Sequence, residues 1–168
     1  MQCVILLPRR EYELFLLDTN AVIHLSRKEA EHHEKIKAKM LEKALQVDMK
    51  ICLSIVSLYE LEYGVAHTNN EQIVSESRRI IESIKKDKEI TIFSLTEAGA
   101  EIFGEIKEQY RKIKGIGKKA LQKHNIDLII AATAIEVGAT LVSQDNKDKI
   151  FEILKSMRDD FVWEDWTQ

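Results

Sequence analysis

A chain of 168 residues, 45% hydrophobic and 32% charged, has the make-up of a soluble globular domain with a sizeable core. A net charge of −3 and a pI near 6.0 exclude a global basic field, so a nucleic-acid partner requires a local basic patch. Cys3 and Cys52 are too few for a disulfide framework or a cysteine-based zinc site, and nothing resembles a secretory leader or the run of about 18 apolar residues that spans a membrane, so the expected address is the cytoplasm.

Residues 1–12, around the apolar stretch 3–7, form an extra N-terminal strand or a loose arm. A short apolar strand is expected at 13–17, ending on Asp18. Helical periodicity covers 30–47, followed by a strand at 50–54 in which Cys52 is a small buried hydrophobe. Helices at 56–66 and 71–86 precede a strand at 89–93. The next helix, 96–114, opens with a Thr96–Glu97 capping signature and repeats apolar residues at Ile102, Phe103, Ile106 and Tyr110. Gly115 and Gly117 make the following segment a flexible turn. The helix 127–137 is apolar nearly all round and therefore buried, with Gly138 as its C-terminal cap. Strands at 139–143 and 160–163 complete the chain. Strands alternating with helices predict a parallel-dominated sheet covered on both faces. No repeat, low-complexity tract or linker interrupts the pattern, so one domain over 1–168 is expected.

Four acids stand at element ends: Asp18 in LFLLDTN, Glu60 in SIVSLYELEYGV, Asp127 in HNIDLIIAATAIEVGA and Asp145 in LVSQDN. In parallel α/β sheets ligands bind beyond the carboxyl ends of the strands. Asp18 and Asp145 follow two such strands, and two acids placed there repel unless a cation lies between them. Oxygen-only ligands favour Mg²⁺ or Mn²⁺ over zinc. Each acid also has a plain structural role open to it. Asp18 can cap a helix, with Thr19 and Asn20 orienting it or capping the helix themselves. Glu60 can be a surface acid, its neighbour Glu62 pointing to a different side of the helix. Asp127 suits a helix N-terminus through the dipole. Asp145 and Asp148 suit a polar turn.

The set LLDTN, ELEYG, DLIIAATAIEVGATLVS and DNKD resembles the PIN-domain ribonucleases, especially the VapC-type toxins of toxin–antitoxin pairs. The closing FVWEDW resembles the family's last strand and tail, so the likeness runs from about Leu14 to Trp166. It implies a three-layer α/β/α sandwich with a mostly parallel central sheet, and Mg²⁺- or Mn²⁺-dependent cleavage of single-stranded RNA. Asp18, Glu60 and Asp127 match the family's three core acids and Asp145 its more variable fourth. Family members often place Phe after an acid in this turn, whereas Asp148 is followed by Lys149, which leaves Asp145, Asp148 or both in the role. Ser143 stands where Thr is common and keeps the hydroxyl. The resemblance further implies a homodimer and an antitoxin partner whose C-terminal segment lies across the acidic groove.

An acidic site repels RNA, so basic groups are expected beside it. Lys107, Arg111, Lys112, Lys114, Lys118, Lys119 and Lys123 run directly into Asp127 as either a phosphate-gripping rim or ordinary solvated surface, and Arg27 and Lys28 follow the first motif. His24, His32, His33, His67 and His124 lack zinc-ligand spacing, and His124 is expected at the surface or in a cap. Tyr59, Tyr63, Phe103 and Tyr110 are expected in the core or an interface. Two other functions compete with the nuclease. A non-catalytic RNA-binding or assembly module of the same fold is opposed by acids at all four positions. A haloacid-dehalogenase-type phosphatase also starts from an Asp after a strand, but wants a second Asp two residues on, where this chain has Asn20.

Overall fold

The computed structural model describes residues 12–144 and 148–168. The expected N-terminal strand or arm, other than Tyr12, lies outside the described residues, as does Asp145. Five strands form one sheet: β1 (Tyr12–Leu17), β2 (Asp48–Ser54), β3 (Thr91–Phe93), β4 (Thr140–Val142) and β5 (Val162–Glu164). Their order is β3-β2-β1-β4-β5 and every pairing is parallel. The helices are α1 (Thr19–Ser26), α2 (His33–Gln46), α3 (Ile55–His67), α4 (Glu71–Lys86), α5 (Glu97–Lys114), α6 (Lys118–Leu121), α7 (Asn125–Val137) and α8 (Ile150–Met157), with a 3₁₀ turn (Gln122–His124) between α6 and α7.

The alternation of strand side chains builds the three layers. Leu14 and Leu16 of β1, Cys52 of β2 and Leu141 of β4 face α5, α7 and α8, where Ile106, Tyr110, Leu128, Phe151 and Leu154 meet them. Phe15, Leu17, Leu53 and Val142 face the opposite way, onto Val22, Ile36, Leu58, Leu61, Ile81 and Trp166. Each fully buried side chain of this size contributes about 1.5–3 kcal/mol through water released. Burial also pushes the Cys52 thiol up to about 12, as expected of an inert core cysteine. Among the described residues no helix is long and apolar enough to cross a membrane.

The five strands expected from residue 13 onward form, with β3 starting at Thr91 rather than 89 and β5 at Val162 rather than 160, and 71–86 is a helix at the bounds expected. The helix expected at 30–47 starts instead at His33, because a turn, with His33 N–H bonded to Ala30 O at 3.0 Å, first reverses the chain. The helix expected from Asp127 starts two residues earlier, at Asn125. Two helices of eight residues carry too little periodicity to stand out in the sequence: α1, marked there only by the capping alternative at Asp18, and α8, not marked at all. Gly138 ends α7 in the left-handed region at φ 66°, its N–H bonded to the Ala134 and Ile135 carbonyls.

Candidate active site

The strand order reverses at β1: β2 and β3 lie on one side, β4 and β5 on the other. Beyond such a switch point the connections diverge and leave a crevice. Asp18 stands at its mouth. Its N–H donates to Val142 O at 3.0 Å, continuing the β1–β4 pairing one step past the sheet. Its Oδ1 accepts the Ala21 N–H at 2.6 Å as the N-cap of α1, and its Oδ2 accepts from the Ser143 hydroxyl. Ser143, the residue after β4, is itself fixed from β5: its N–H donates to Glu164 O at 3.2 Å and its carbonyl accepts Trp163 Nε1 at 2.9 Å. The capping role and placement at the strand end therefore coexist in one side chain.

Glu60 lies in the second turn of α3, a helix capped by Ser54, the last residue of β2. Its Oε2 accepts from the Thr19 hydroxyl, so Thr19 orients Glu60 rather than Asp18. Glu62 points elsewhere, to Arg78 at 2.7 Å and Lys85 at 3.1 Å on α4. Asp127 sits in the first turn of α7, at the positive end of the helix dipole. These acids act on one another. Burial pushes the Asp18 carboxyl up to about 6 from an ordinary 3.8, and the negative charges of Asp127 and Glu60 push the same way against the Ser143 and Ala21 hydrogen bonds. Among the described residues no three His, Cys, Asp or Glu side chains close into a ligand cage. A hydrated Mg²⁺ does not need one, since one or two carboxylates and waters suffice.

Asp148 is committed elsewhere. Its carboxylate meets Lys123 Nζ at 3.1 Å and lies 3.9 Å from His124 Nε2, and the Lys123 hydrogen bond draws it below its ordinary value. Asn20 is exposed on α1 and makes no hydrogen bond among the described residues. Two residues not singled out from sequence flank the acids. Ser57 Oγ, one turn before Glu60, and Asn125 Oδ1, two residues before Asp127, are buried without a hydrogen-bond partner among the described residues. Their signal was a polar residue within or at the start of an apolar helix, which is common and says little by itself.

The basic stretch divides. Arg111 grips Glu108 through two bonds of 2.8 Å, Lys112 lies 3.8 Å from the same carboxylate, and Lys123 is paired with Asp148. Lys114, Lys118 and Lys119 have no ion pair among the described residues and surround the left-handed Gly115 that ends α5. His124 takes the N-cap position of α7, one of its two expected places, with no side-chain capping bond; it is not at the surface but 3% exposed, edge-on to the Tyr110 ring at 5.4 Å. Tyr110 is core and Phe103 packs against it, whereas Tyr59 and Tyr63 stand in solvent.

The sequence profile of the PIN domain matches residues 15–153. The chain belongs to the PIN-domain family. Solved structures share the fold of this PIN domain. VapBC2 from Rickettsia felis bound to a DNA fragment from their promoter is similar at 24% identity and TM-score 0.60, over 91% of this chain and 98% of that one. VapBC-1 from nontypeable Haemophilus influenzae is 23% identical at TM-score 0.60, over 92% and 99% of the two chains. DNA-bound VapBC from Salmonella typhimurium is 21% identical at TM-score 0.59, over 92% and 98%. No curated protein sequence matches the chain.

Proposed function

We propose that this PIN domain is a divalent-cation-dependent endoribonuclease acting on single-stranded RNA, with Asp18, Glu60 and Asp127 as its acidic centre. One observation carries the reading. A buried carboxyl at the sheet's switch point is held unfavourably by burial and by two further acids, and a cation would relieve all three causes. The donors are all oxygens, which suits Mg²⁺ or Mn²⁺. When bound, such an ion neutralises phosphate charge and makes a water more acidic. The chain's own groups set the geometry. Ser143 and the Ala21 N–H fix both oxygens of Asp18, and Thr19 fixes one oxygen of Glu60. Asp127 adds charge from a rigid, buried helix. Asp145 is proposed as the fourth acid in preference to Asp148, whose carboxylate is already paired with Lys123. Lys114, Lys118 and Lys119 are proposed to hold RNA phosphates, while Arg111, Lys112 and Lys123 mainly serve internal ion pairs.

The chain is further proposed to be the toxin of a toxin–antitoxin pair, working as a homodimer restrained by an antitoxin protein. The support is the family and the likeness to VapBC complexes. The test is cleavage of single-stranded RNA by purified protein with Mg²⁺ or Mn²⁺, with excess EDTA, and with Asp18→Asn. Cleavage is expected only for the native chain with the cation. Full activity in EDTA, or in the Asn variant, rejects the metal nuclease.

A further inference from the structure

α3 buries Val56, Ser57, Leu58, Leu61 and Val65, and its Glu62 is taken by α4. What remains is an aromatic face the core does not use. Tyr59 and Tyr63 are 69% and 67% exposed. The Tyr63 ring stacks on His67 with centroids 5.3 Å apart and planes 23° from parallel. Helical spacing ties this face to the acidic centre. Tyr63 and His67 follow Glu60 by three and seven residues and share its stripe, and Tyr59 precedes Tyr63 by one turn. From Tyr59 to His67 the stripe extends about 12 Å at the helical rise.

We propose that Tyr59, Tyr63 and His67 form a base-stacking platform for the single-stranded RNA beside the bond that is cut; this rests on the nuclease reading above. Aromatic rings accept the flat face of any base, so the platform positions unpaired nucleotides without demanding a sequence. It also supplies what lysines cannot. Lys118 and Lys119 open α6, which leads towards Asp127, and address phosphates. The tyrosines lie on the helix of Glu60 and address bases. A strand crossing the acids would be gripped by its backbone on the Asp127 side and by its bases on the Glu60 side. A second copy of this chain is the less fitting occupant. The two rings expose about 300 Å² together, against about 800 Å² per partner in a stable interface, and the rest of this face is Gly64 and Ala66.

The test uses the full chain in EDTA, where RNA binds without being cut, and a short single-stranded RNA carrying 2-aminopurine, whose fluorescence falls on stacking. Tyr59→Ala/Tyr63→Ala is expected to weaken binding about tenfold or more and to abolish the quenching. Tyr59→Phe/Tyr63→Phe, which keeps the rings, is expected to bind and quench like the native chain. Light scattering is expected to give one molar mass for all three. Unchanged affinity and quenching in the alanine variant overturn the platform, as does a fall in molar mass confined to that variant, which marks the face as a contact between copies. A native chain that binds no RNA overturns it too. The nuclease reading fails separately: native protein cleaving no RNA with Mg²⁺ or Mn²⁺ rejects that reading, whereas normal cleavage with indifferent tyrosines rejects the platform alone.

Discussion

Removing the charge of Asp18 is expected to stabilise the fold while ending cleavage. Its carboxyl titrates near 6 in the folded chain against 3.8 when unfolded. Roughly two pKa units at about 1.4 kcal/mol each mean that the ionised group costs about 3 kcal/mol at neutral pH. Asp18→Asn fits the same space. Its oxygen can accept the Ala21 N–H, its amide can donate to Ser143 Oγ, and the Ser143 hydroxyl can turn to the Gln144 carbonyl 3.4 Å away. In EDTA at pH 7.5 the variant should therefore melt about 6–12 °C above the native chain. The pH dependence has a definite sign. Well below pH 3.8 the carboxyl is protonated in both states and costs nothing. Between about 4 and 6 the unfolded chain loses its proton first, so native stability falls. Above about 6 the cost is complete. The gap between variant and native chain should open across that window and then stay constant. Saturating Mg²⁺ should narrow it by stabilising only the native chain. Calorimetry at pH 4, 5, 6 and 7.5 reads all of this. An Asn variant that melts at or below the native temperature at every pH refutes the claim that Asp18 is held at a cost.

Three further outcomes are expected. Lys118→Glu/Lys119→Glu should weaken RNA binding and lower the slope of log affinity against log salt by about 1.4, the loss of two phosphate contacts to a single strand, with little change in the rate at saturating RNA; an unchanged slope makes these lysines ordinary surface. Thr19→Val removes the hydroxyl bonded to Glu60 and should weaken Mg²⁺ binding in a titration while costing only about 1 kcal/mol in urea unfolding. Gly138→Ala meets no atom within 4 Å but must hold φ 66°, so it should cost about 1–2 kcal/mol in the same unfolding assay and leave cleavage untouched.

The sheet was legible in the sequence because each strand is a short apolar run ending at a polar residue, and because long helices separate them. The long helices were legible for the same reason: α4 and α5 carry apolar residues on one side over four or more turns. α1 was not, since eight residues beginning at a strand end offer too little periodicity, and the DTN that opens it reads equally as a ligand and as a cap. The site was legible only as separate acids. Their mutual effect on Asp18 depends on strand order, which places Ser143 beside Asp18 across 125 positions of chain, and no local pattern encodes that. The pairing of the lysines was not legible for a related reason. The run before Asp127 looks uniformly free in sequence, but Glu108 sits within one helical turn of Arg111 and Lys112, and Asp148 returns from 25 residues away to Lys123. The exposure of Tyr59 and Tyr63 was not legible because large aromatic residues read as core even where they lie between Glu60, Glu62 and His67 on the solvent side of α3.

Asp18 shows why a structural role and the proposed functional one need not compete for one residue. An ionised carboxylate offers about four lone pairs over two oxygens. The Ala21 N–H takes one on Oδ1 and the Ser143 hydroxyl takes one on Oδ2. Each oxygen keeps one lone pair, so capping α1 does not exhaust the ligand. The cap instead prevents the side chain from rotating, and Ser143, tied to β5 through Trp163 and Glu164, fixes the second oxygen relative to β4. A freely rotating aspartate would relieve its repulsion with Glu60 and Asp127 by turning away. This one cannot, so the unfavourable charge stays in place for the proposed cation to offset. The proposed affinity for Mg²⁺ or Mn²⁺ thus follows from the same hydrogen bonds that begin the first helix.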